Sequence, residues 1–329
     1  MANYLVTGAA GFIGARVAEF LLNDGHSVSG IDNLNDAYDV RIKHYRLKHL
    51  QAYSRFKFHQ LDISDRAALL GGDNPSLLDF DACNAIINLA ARAGVRQAAE
   101  NPWVYIDTNL TGTLNLLEVC RQHSIPKLIL ASTSSVYGAN APLPTPEDAD
   151  SSHPLQTYAA TKKSAEALCH AYHHLYKIDI SVVRYFTVYG PAGRPDMSMF
   201  RFTQWISEGR PLRLNGDGEQ SRGFTYVDDI ARGTILALKP LGYEIINLGG
   251  HETITMNQLI HMLEERTGKT AQVVHLPLNP ADMFANWANV EKARRILGWQ
   301  PQVTLAQGVS NLVDWYRAER LWASQIITD

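Results

Sequence analysis

The sequence predicts a doubly wound, parallel α/β sheet with a smaller C-terminal α/β lobe interleaved with it. Three observations carry this. Short runs rich in Val, Ile and Leu alternate with longer helical patterns over the first 185 residues, a glycine-rich turn follows the first run, and turn-forming residues crowd the chain from Gly190 onward. Strands covered on both faces read as apolar runs, and parallel neighbours need a crossover helix between them.

In order, the predicted strands are Tyr4 to Thr7, Ser27 to Ile31, Phe56 to Leu61, Ala85 to Leu89, Lys127 to Ala131 and Ile180 to Tyr185. Helical patterns lie between them, among them Phe12 to Asn23, Val104 to His123 and Tyr158 to Tyr176. Gly190-Pro191, Gly209-Arg210-Pro211 and Asn215-Gly216-Asp217-Gly218 are turn chemistry and mark a boundary. Glu244 to Leu248 reads as one more core strand, so the expected division is residues 1–189 with about 224–248 in the first domain, and 190–223 with 249–329 in the smaller lobe.

With 329 residues, 46% of them hydrophobic, the chain is long enough to bury a large core. A net charge of -3 without a long Lys/Arg run leaves no footprint for nucleic acid or an anionic membrane, so any phosphate site is local. No segment reaches the roughly 18 unbroken apolar residues of a membrane span, and the N-terminus enters a folded pattern without the features of a signal peptide. Cys83, Cys120 and Cys169 are odd in number and widely spaced, which fits a reducing cytoplasm. His170, His173 and His174 have no acidic or further ligand beside them at zinc-like spacing, so no metal is expected.

Gly8-Ala9-Ala10-Gly11-Phe12-Ile13-Gly14 follows the first strand and opens an apolar helix. Glycines there permit a tight turn and close approach of backbone to a pyrophosphate, which the free amides of a helix N-terminus bind. Asp32 stands at the end of the second strand, 18 residues beyond Gly14, where a carboxylate accepts from adenosine ribose hydroxyls. That carboxylate would repel a ribose 2′-phosphate and Asn33 adds no positive charge, so NAD is favoured over NADP. Asp62-Ile63, after the third strand, reads either as an adenine contact or as helix capping.

Tyr158 and Lys162 lie four residues apart and so on one face of a helix. An adjacent ammonium and a nicotinamide cation both favour phenolate, which can remove a proton from a hydroxyl while hydride leaves the same carbon. The fifth strand runs into Ser132-Thr133-Ser134-Ser135, bringing hydroxyls to the C-terminal edge of the sheet, where ligands of such folds bind.

These residues, with Asn88-Leu89-Ala90-Ala91, Asn109 and Arg184-Tyr185-Phe186-Thr187, resemble the extended short-chain dehydrogenase/reductase family, which has a Rossmann fold, over nearly the whole chain. Asn88 departs from the family's usual His. The resemblance implies that Thr133 orients the substrate hydroxyl, Tyr158 acts as base and acid, and Lys162 holds the ribose. It also implies cofactor contacts from Gly8, Gly11, Phe12, Ile13, Gly14, Asp32, Asn33, Asn35, Asp62, Ile63, Leu89, Ala90, Ala91, Asn109 and Tyr185, and pairing into a homodimer.

Within that family the chain is most similar to UDP-glucuronate 4-epimerases. They share Asp32-Asn33-Leu34-Asn35-Asp36-Ala37-Tyr38-Asp39, Ala93-Gly94-Val95-Arg96, Phe186-Thr187-Val188-Tyr189-Gly190-Pro191 and Gly193-Arg194-Pro195-Asp196-Met197. The acidic pair of the 4,6-dehydratases is missing at Ser134 and Ser135, and Thr187 stands where decarboxylases and UDP-galactose 4-epimerases carry Asn. The resemblance implies that Thr133, Ser134, Ser135 and Thr187 meet the C5 carboxylate of UDP-glucuronate, with Arg194 as a mobile cation and Arg96 nearby. Arg222 matches a diphosphate contact, Arg213 neighbours the nucleotide and Asp282 matches a ribose contact, although Gly223, Trp287 and Asn289 depart from the usual pattern. The rivals are an epimerase of neutral UDP-sugars, a UDP-glucuronate decarboxylase and, in a different class, a non-catalytic dinucleotide sensor, which would not need Thr133, Tyr158 and Lys162 intact.

Overall fold

The computed structural model describes residues 1–71, 78–94, 97–250, 252–277 and 284–328. In chain order the strands are β1 (Asn3–Thr7), β2 (Ser27–Asp32), β3 (Phe56–Gln60), β4 (Ala85–Asn88), β5 (Lys127–Thr133), β6 (Asp179–Tyr185) and β7 (Thr187–Tyr189). They continue as β8 (Pro211–Asn215), β9 (Ser221–Tyr226), β10 (Tyr243–Leu248), β11 (Glu252–Thr255), β12 (Gln272–Leu276) and β13 (Ala285–Asn286). Seven of them lie side by side in the order β10-β6-β5-β4-β1-β2-β3, every pair parallel.

The two faces of this sheet follow from the alternation of side chains along a strand. Ile87, Ile129, Ala131 and Val183 pack with Val17 and Leu21 of helix Phe12–Asn23 on one face. Their neighbours Ile86, Leu128, Leu130 and Val182 pack with Leu116, Leu117 and Val119 of helix Gly112–Gln122 on the other. Because both faces are covered, the strands read as continuous apolar runs rather than alternating ones.

After β3 the chain crosses to β4 on the far side of β1, so the strand order reverses between β1 and β4. Such a reversal opens a crevice at the carboxyl ends of the strands. Its floor is cross-braced: Thr7 Oγ1 donates to Asn88 Oδ1 at 2.8 Å, and Ala90 N–H donates to Thr7 Oγ1 at 3.2 Å.

The smaller lobe carries a four-stranded sheet of β7, β9, β11 and β13 and a two-stranded pair of β8 and β12. Its core joins Phe202 and Trp205 of helix Ser198–Glu208 to Phe224, Leu259 and Leu312. Strand β9 lies in this small sheet, whereas the helix after it, Val227–Leu236, is pinned to the first helix by the fork from Arg16 to Asp228 at 2.6 and 2.8 Å.

One helix differs from the sequence reading. In place of an unbroken helix over Val104 to His123 there is a short α turn, Trp103–Tyr105, a π-helical stretch, Ile106–Thr111, and then the α-helix Gly112–Gln122. Apolar periodicity cannot reveal a widened turn, and such turns recur at functional sites. Here it holds Asn109 (below). Two of the histidines set aside as a metal site have ordinary partners: His170 stacks edge-on against Tyr243, with centroids 5.0 Å apart, and His173 Nδ1–H donates to Ile178 O at 2.8 Å.

Candidate active site

A cleft of about 800 Å³ runs along the carboxyl edge of the large sheet and out beneath the smaller lobe. At its sheet end the turn after β1 is closed by packing. Gly8 has φ +68°, and a Cβ on Gly14 would lie 2.1 Å from Gly8 O, so the first helix can press on the turn only without a side chain there. Gly11 caps that helix with no side-chain hydrogen bond, leaving its leading amides to the cleft that Phe12, Ile13 and Gly14 line.

Asp32, at the end of β2, accepts from Ala10 N–H at 3.2 Å and Leu34 N–H at 2.8 Å. The sequence reading counted no cation here, but Lys43 folds back from helix Arg41–Leu50, lies 3.7 Å from Asp32 Oδ1 and donates to Asn35 Oδ1 at 3.1 Å. Its charge is matched by the aspartate. Asn33 Nδ2–H donates to Asp62 Oδ2 at 2.6 Å, and Asp62 also accepts the Ser64 amide at 2.8 Å. Burial pushes the Asp62 carboxyl up, but the Ser64 and Asn33 hydrogen bonds outweigh it and hold it below its ordinary value. The cap of the next helix is Asp65, which accepts Ala68 N–H at 3.0 Å, so Asp62 itself stays on the cleft with Ile63, Leu89, Ala90 and Ala91.

The middle of the cleft holds Thr133, Tyr158 and Lys162. Strand β5 ends at Thr133, which accepts Ser135 N–H at 3.1 Å and donates to Ser135 Oγ at 3.2 Å. Tyr158 and Lys162 both project from helix Thr157–Tyr176. Burial pushes the Tyr158 phenol up, and the Thr133 hydroxyl and the Arg194 guanidinium pull it partway back. Lys162 is only 2% exposed and has no hydrogen-bond partner among the described residues. Burial pulls its ammonium down to about 8, against weak opposing pulls from Cys169 and Glu166. A buried cation facing a cleft without a protein partner is the mark of a ligand-binding position.

Asn109 lies behind this wall rather than in it. Its Nδ2–H group donates to Thr161 Oγ1 at 3.0 Å and to Arg92 O at 3.0 Å, and its Oδ1 accepts Arg92 N–H at 2.9 Å. Thr161 in turn donates to Tyr158 O at 2.8 Å, so the π-helical turn braces the backbone that carries the tyrosine. Asn88 is likewise buried, donating to Thr113 Oγ1 at 3.2 Å. Tyr185 lines the cleft with its hydroxyl 2.8 Å from Thr234 Oγ1.

Toward the smaller lobe the lining gathers Ser134, Ser135, Thr187, Arg194, Arg213 and Arg222. Arg194 is forked onto Asp196 at 3.1 and 2.6 Å, and Arg222 Nη1 donates to Ser221 O at 2.8 Å and Phe284 O at 3.1 Å. Arg201 joins the lining, so guanidinium groups converge on one end of an otherwise acidic protein. Gln220 and Asn286 also line this end; the Oε1 of Gln220 is buried without a hydrogen-bond partner among the described residues, while its Nε2–H donates to Asn215 O at 2.6 Å. Sequence reasoning missed Lys43, Asp196, Arg201, Gln220 and Asn286. Asp196 sat inside a quoted motif, whereas Asn286 had no motif to flag it. Arg96 and Asp282 lie outside the described residues.

Known proteins share both the sequence and this geometry. The profile of the NAD dependent epimerase/dehydratase family matches residues 4–249. UDP-glucuronate 4-epimerase of Thermodesulfobacterium geofontis is 55% identical over 316 residues, 96% of either chain. The crystal structure of UDP-glucuronic acid 4-epimerase from Bacillus cereus in complex with UDP-glucuronic acid and NAD superposes with a TM-score of 0.87 at 37% identity, covering 96% of this chain and 99% of that one. UDP-glucose 4-epimerase of Thermotoga maritima with UDP-glucose follows at 0.86 and 30% identity, covering 97% and 99%. The chain belongs to the NAD dependent epimerase/dehydratase family.

Proposed function

We infer that this protein is an NAD-dependent epimerase that interconverts UDP-glucuronate and UDP-galacturonate through a transient 4-keto sugar. The observation that carries the reading is the convergence, in one cleft, of Tyr158 and Lys162 with the hydroxyls of Thr133, Ser134, Ser135 and Thr187. NAD, when bound, supplies a reversible hydride acceptor for the C4 carbon. Its fit rests on the glycine turn, the uncapped helix amides, Asp32 and the unpartnered Lys162 ammonium. Asn33, Asn35, Asp62, Ile63, Leu89, Ala90, Ala91 and Tyr185 complete its bed, and Asn109 supports it from behind.

Tyr158 takes the proton of the C4 hydroxyl as the ketone forms and returns it when the alcohol re-forms on the other face. Thr133 orients that hydroxyl. The ketone is β to the C5 carboxylate, so carbon dioxide leaves readily if the C5–carboxylate bond aligns with the carbonyl π system. Ser134, Ser135 and Thr187, as neutral donors, hold the carboxylate charged and out of that alignment. Arg194 is the cation beside the C5 carboxylate, Arg222 and Arg213 serve the diphosphate and nucleotide, and Arg96 and Asp282 are assigned as further contacts. The expected boundaries shift at two points, because β7 and β9 pair in the small sheet: residues 1–186 with about 227–248 are assigned to the NAD half, and 187–226 with 249–329 to the nucleotide-sugar half.

Among the described residues no helix is long and apolar enough to cross a membrane. We assign the chain to the cytoplasm, with no nucleic-acid partner. Exposed Leu114, Leu175 and Tyr176 on helices Gly112–Gln122 and Thr157–Tyr176 support pairing as a homodimer.

Proton NMR of the purified protein with NAD, mixed separately with UDP-glucuronate and UDP-glucose, tests the reaction. UDP-galacturonate is the expected product; UDP-pentose, or UDP-galactose alone, would overturn the substrate assignment. Thr187→Asn puts a larger amide against the C5 substituent, and the preference for UDP-glucuronate over UDP-glucose in kcat/KM is expected to fall about tenfold. An unchanged ratio would remove Thr187 from the carboxylate site.

A further inference from the structure

The hydroxyl of Ser134 has a partner that comes from the opposite lobe. Asn286 Nδ2–H donates to Ser134 Oγ at 2.9 Å, across 152 positions of sequence, and both side chains are buried. Both also line the large cleft and a separate cavity of about 150 Å³ behind it, so this hydrogen bond stands in the partition between the two.

The backbone of Asn286 is held from two directions. In β13 it pairs in parallel with Arg222 of β9, and on the other side Thr145 N–H donates to Trp287 O at 2.9 Å while Asn289 N–H donates to Thr145 O at 2.9 Å. The amide is therefore delivered to Ser134 by a strand of the smaller lobe and by an isolated bridge at Thr145 rather than by a free loop.

A serine hydroxyl has one proton and two lone pairs, whereas an amide NH₂ only donates. With Asn286 filling a lone pair, the Ser134 proton is left to point elsewhere, and the bond polarises it as a donor. An ionised carboxylate only accepts, so it needs that polarity; a neutral hydroxymethyl group both donates and accepts, so it does not.

We propose that Asn286 is a positioning residue that fixes the proton direction of Ser134 and thereby makes the sugar pocket selective for a C5 carboxylate. The proposal rests on the reading of UDP-glucuronate as substrate. It adds a residue that contacts the hydroxyl set without itself contacting the reacting atoms.

The test is Asn286→Asp, which keeps the shape but reverses the polarity, since a carboxylate accepts the Ser134 proton and adds a negative charge. Calorimetric affinity and kcat/KM for UDP-glucuronate are expected to fall roughly 10- to 100-fold, with UDP-glucose changed by less than about threefold. UDP-pentose should also appear among the products: the C5–carboxylate bond of the 4-keto sugar breaks as carbon dioxide leaves, its electrons pass into the C4 carbonyl as an enolate, a proton adds at C5, and the hydride that NAD took from C4 returns to the resulting pentose ketone. Asn286→Ala and Ser134→Ala supply a double-mutant cycle should the aspartate variant fold poorly. In the Ser134→Ala background Asn286→Ala should no longer alter the acid-to-neutral preference. Equal losses on both substrates in Asn286→Ala, or a wild-type preference in Asn286→Asp, would overturn the proposal. If the unmodified enzyme binds UDP-glucuronate no better than UDP-glucose, the substrate reading fails first and takes this inference with it.

Discussion

Tyr158→Phe is expected to lower kcat for UDP-glucuronate epimerisation by roughly a thousandfold, the scale of losing a positioned acid–base group, with little change in the affinity for NAD or UDP-glucuronate. The substitution removes one oxygen from a residue whose hydroxyl faces Thr133 and whose phenol burial already pushes up. In the nucleotide-free protein burial therefore keeps the group a neutral phenol against the pulls of Thr133 and Arg194, and the nicotinamide charge would add to those pulls when the cofactor is bound. Single-turnover kinetics separate this loss from product release, and calorimetry measures the affinities. A variant that keeps more than about a tenth of wild-type kcat would transfer the proton step to another group.

Lys162→Met should abolish turnover to a comparable extent and make the nucleotide-free protein more stable. The two effects have one cause. The Lys162 ammonium is buried at the cleft without a hydrogen-bond partner among the described residues, and burial pulls it from an ordinary 10.5 down to about 8. That displacement corresponds to a destabilisation on the order of 3 kcal/mol at neutral pH. Between about 8 and 10.5 the unfolded chain holds the lysine proton more tightly than the folded one. Wild-type stability therefore gains with rising pH across that window relative to the variant. Denaturant melts at pH 7 should show Lys162→Met ahead, and the gap should close toward pH 10.5. Addition of NAD should raise the melting temperature of the wild type more than that of the variant, because the ammonium then gains a partner. Equal stabilities at pH 7 would mean that the buried charge is compensated inside the protein.

Much of this site could be read before any fold was known. Gly8, Gly11 and Gly14 sit where a strand must turn sharply into a helix, and Asp32 closes the next strand at a spacing set by one crossover. Tyr158 and Lys162 announce themselves by helical periodicity, and the run from Thr133 to Ser135 by its place after an apolar strand. Asn109 was found as a residue but not in its setting: the sequence reading put it at the cofactor, and the π-helical turn sets it behind the wall, bracing Thr161.

By itself, then, the sequence determined the parallel sheet, the glycine turn after the first strand and the one-faced pairing of Tyr158 with Lys162, because each is a local pattern whose period or spacing follows from one strand or one helix. Only the tertiary structure decided that Lys43 neutralises Asp32 from a following helix, that Arg194 is latched on Asp196 beside the phenol, and that Asn286 grips Ser134 from the other lobe. The physical reason lies in chain separation. The Asn286 hydrogen bond spans 152 positions, and a contact made by two segments brought together through packing leaves no periodic trace in either one.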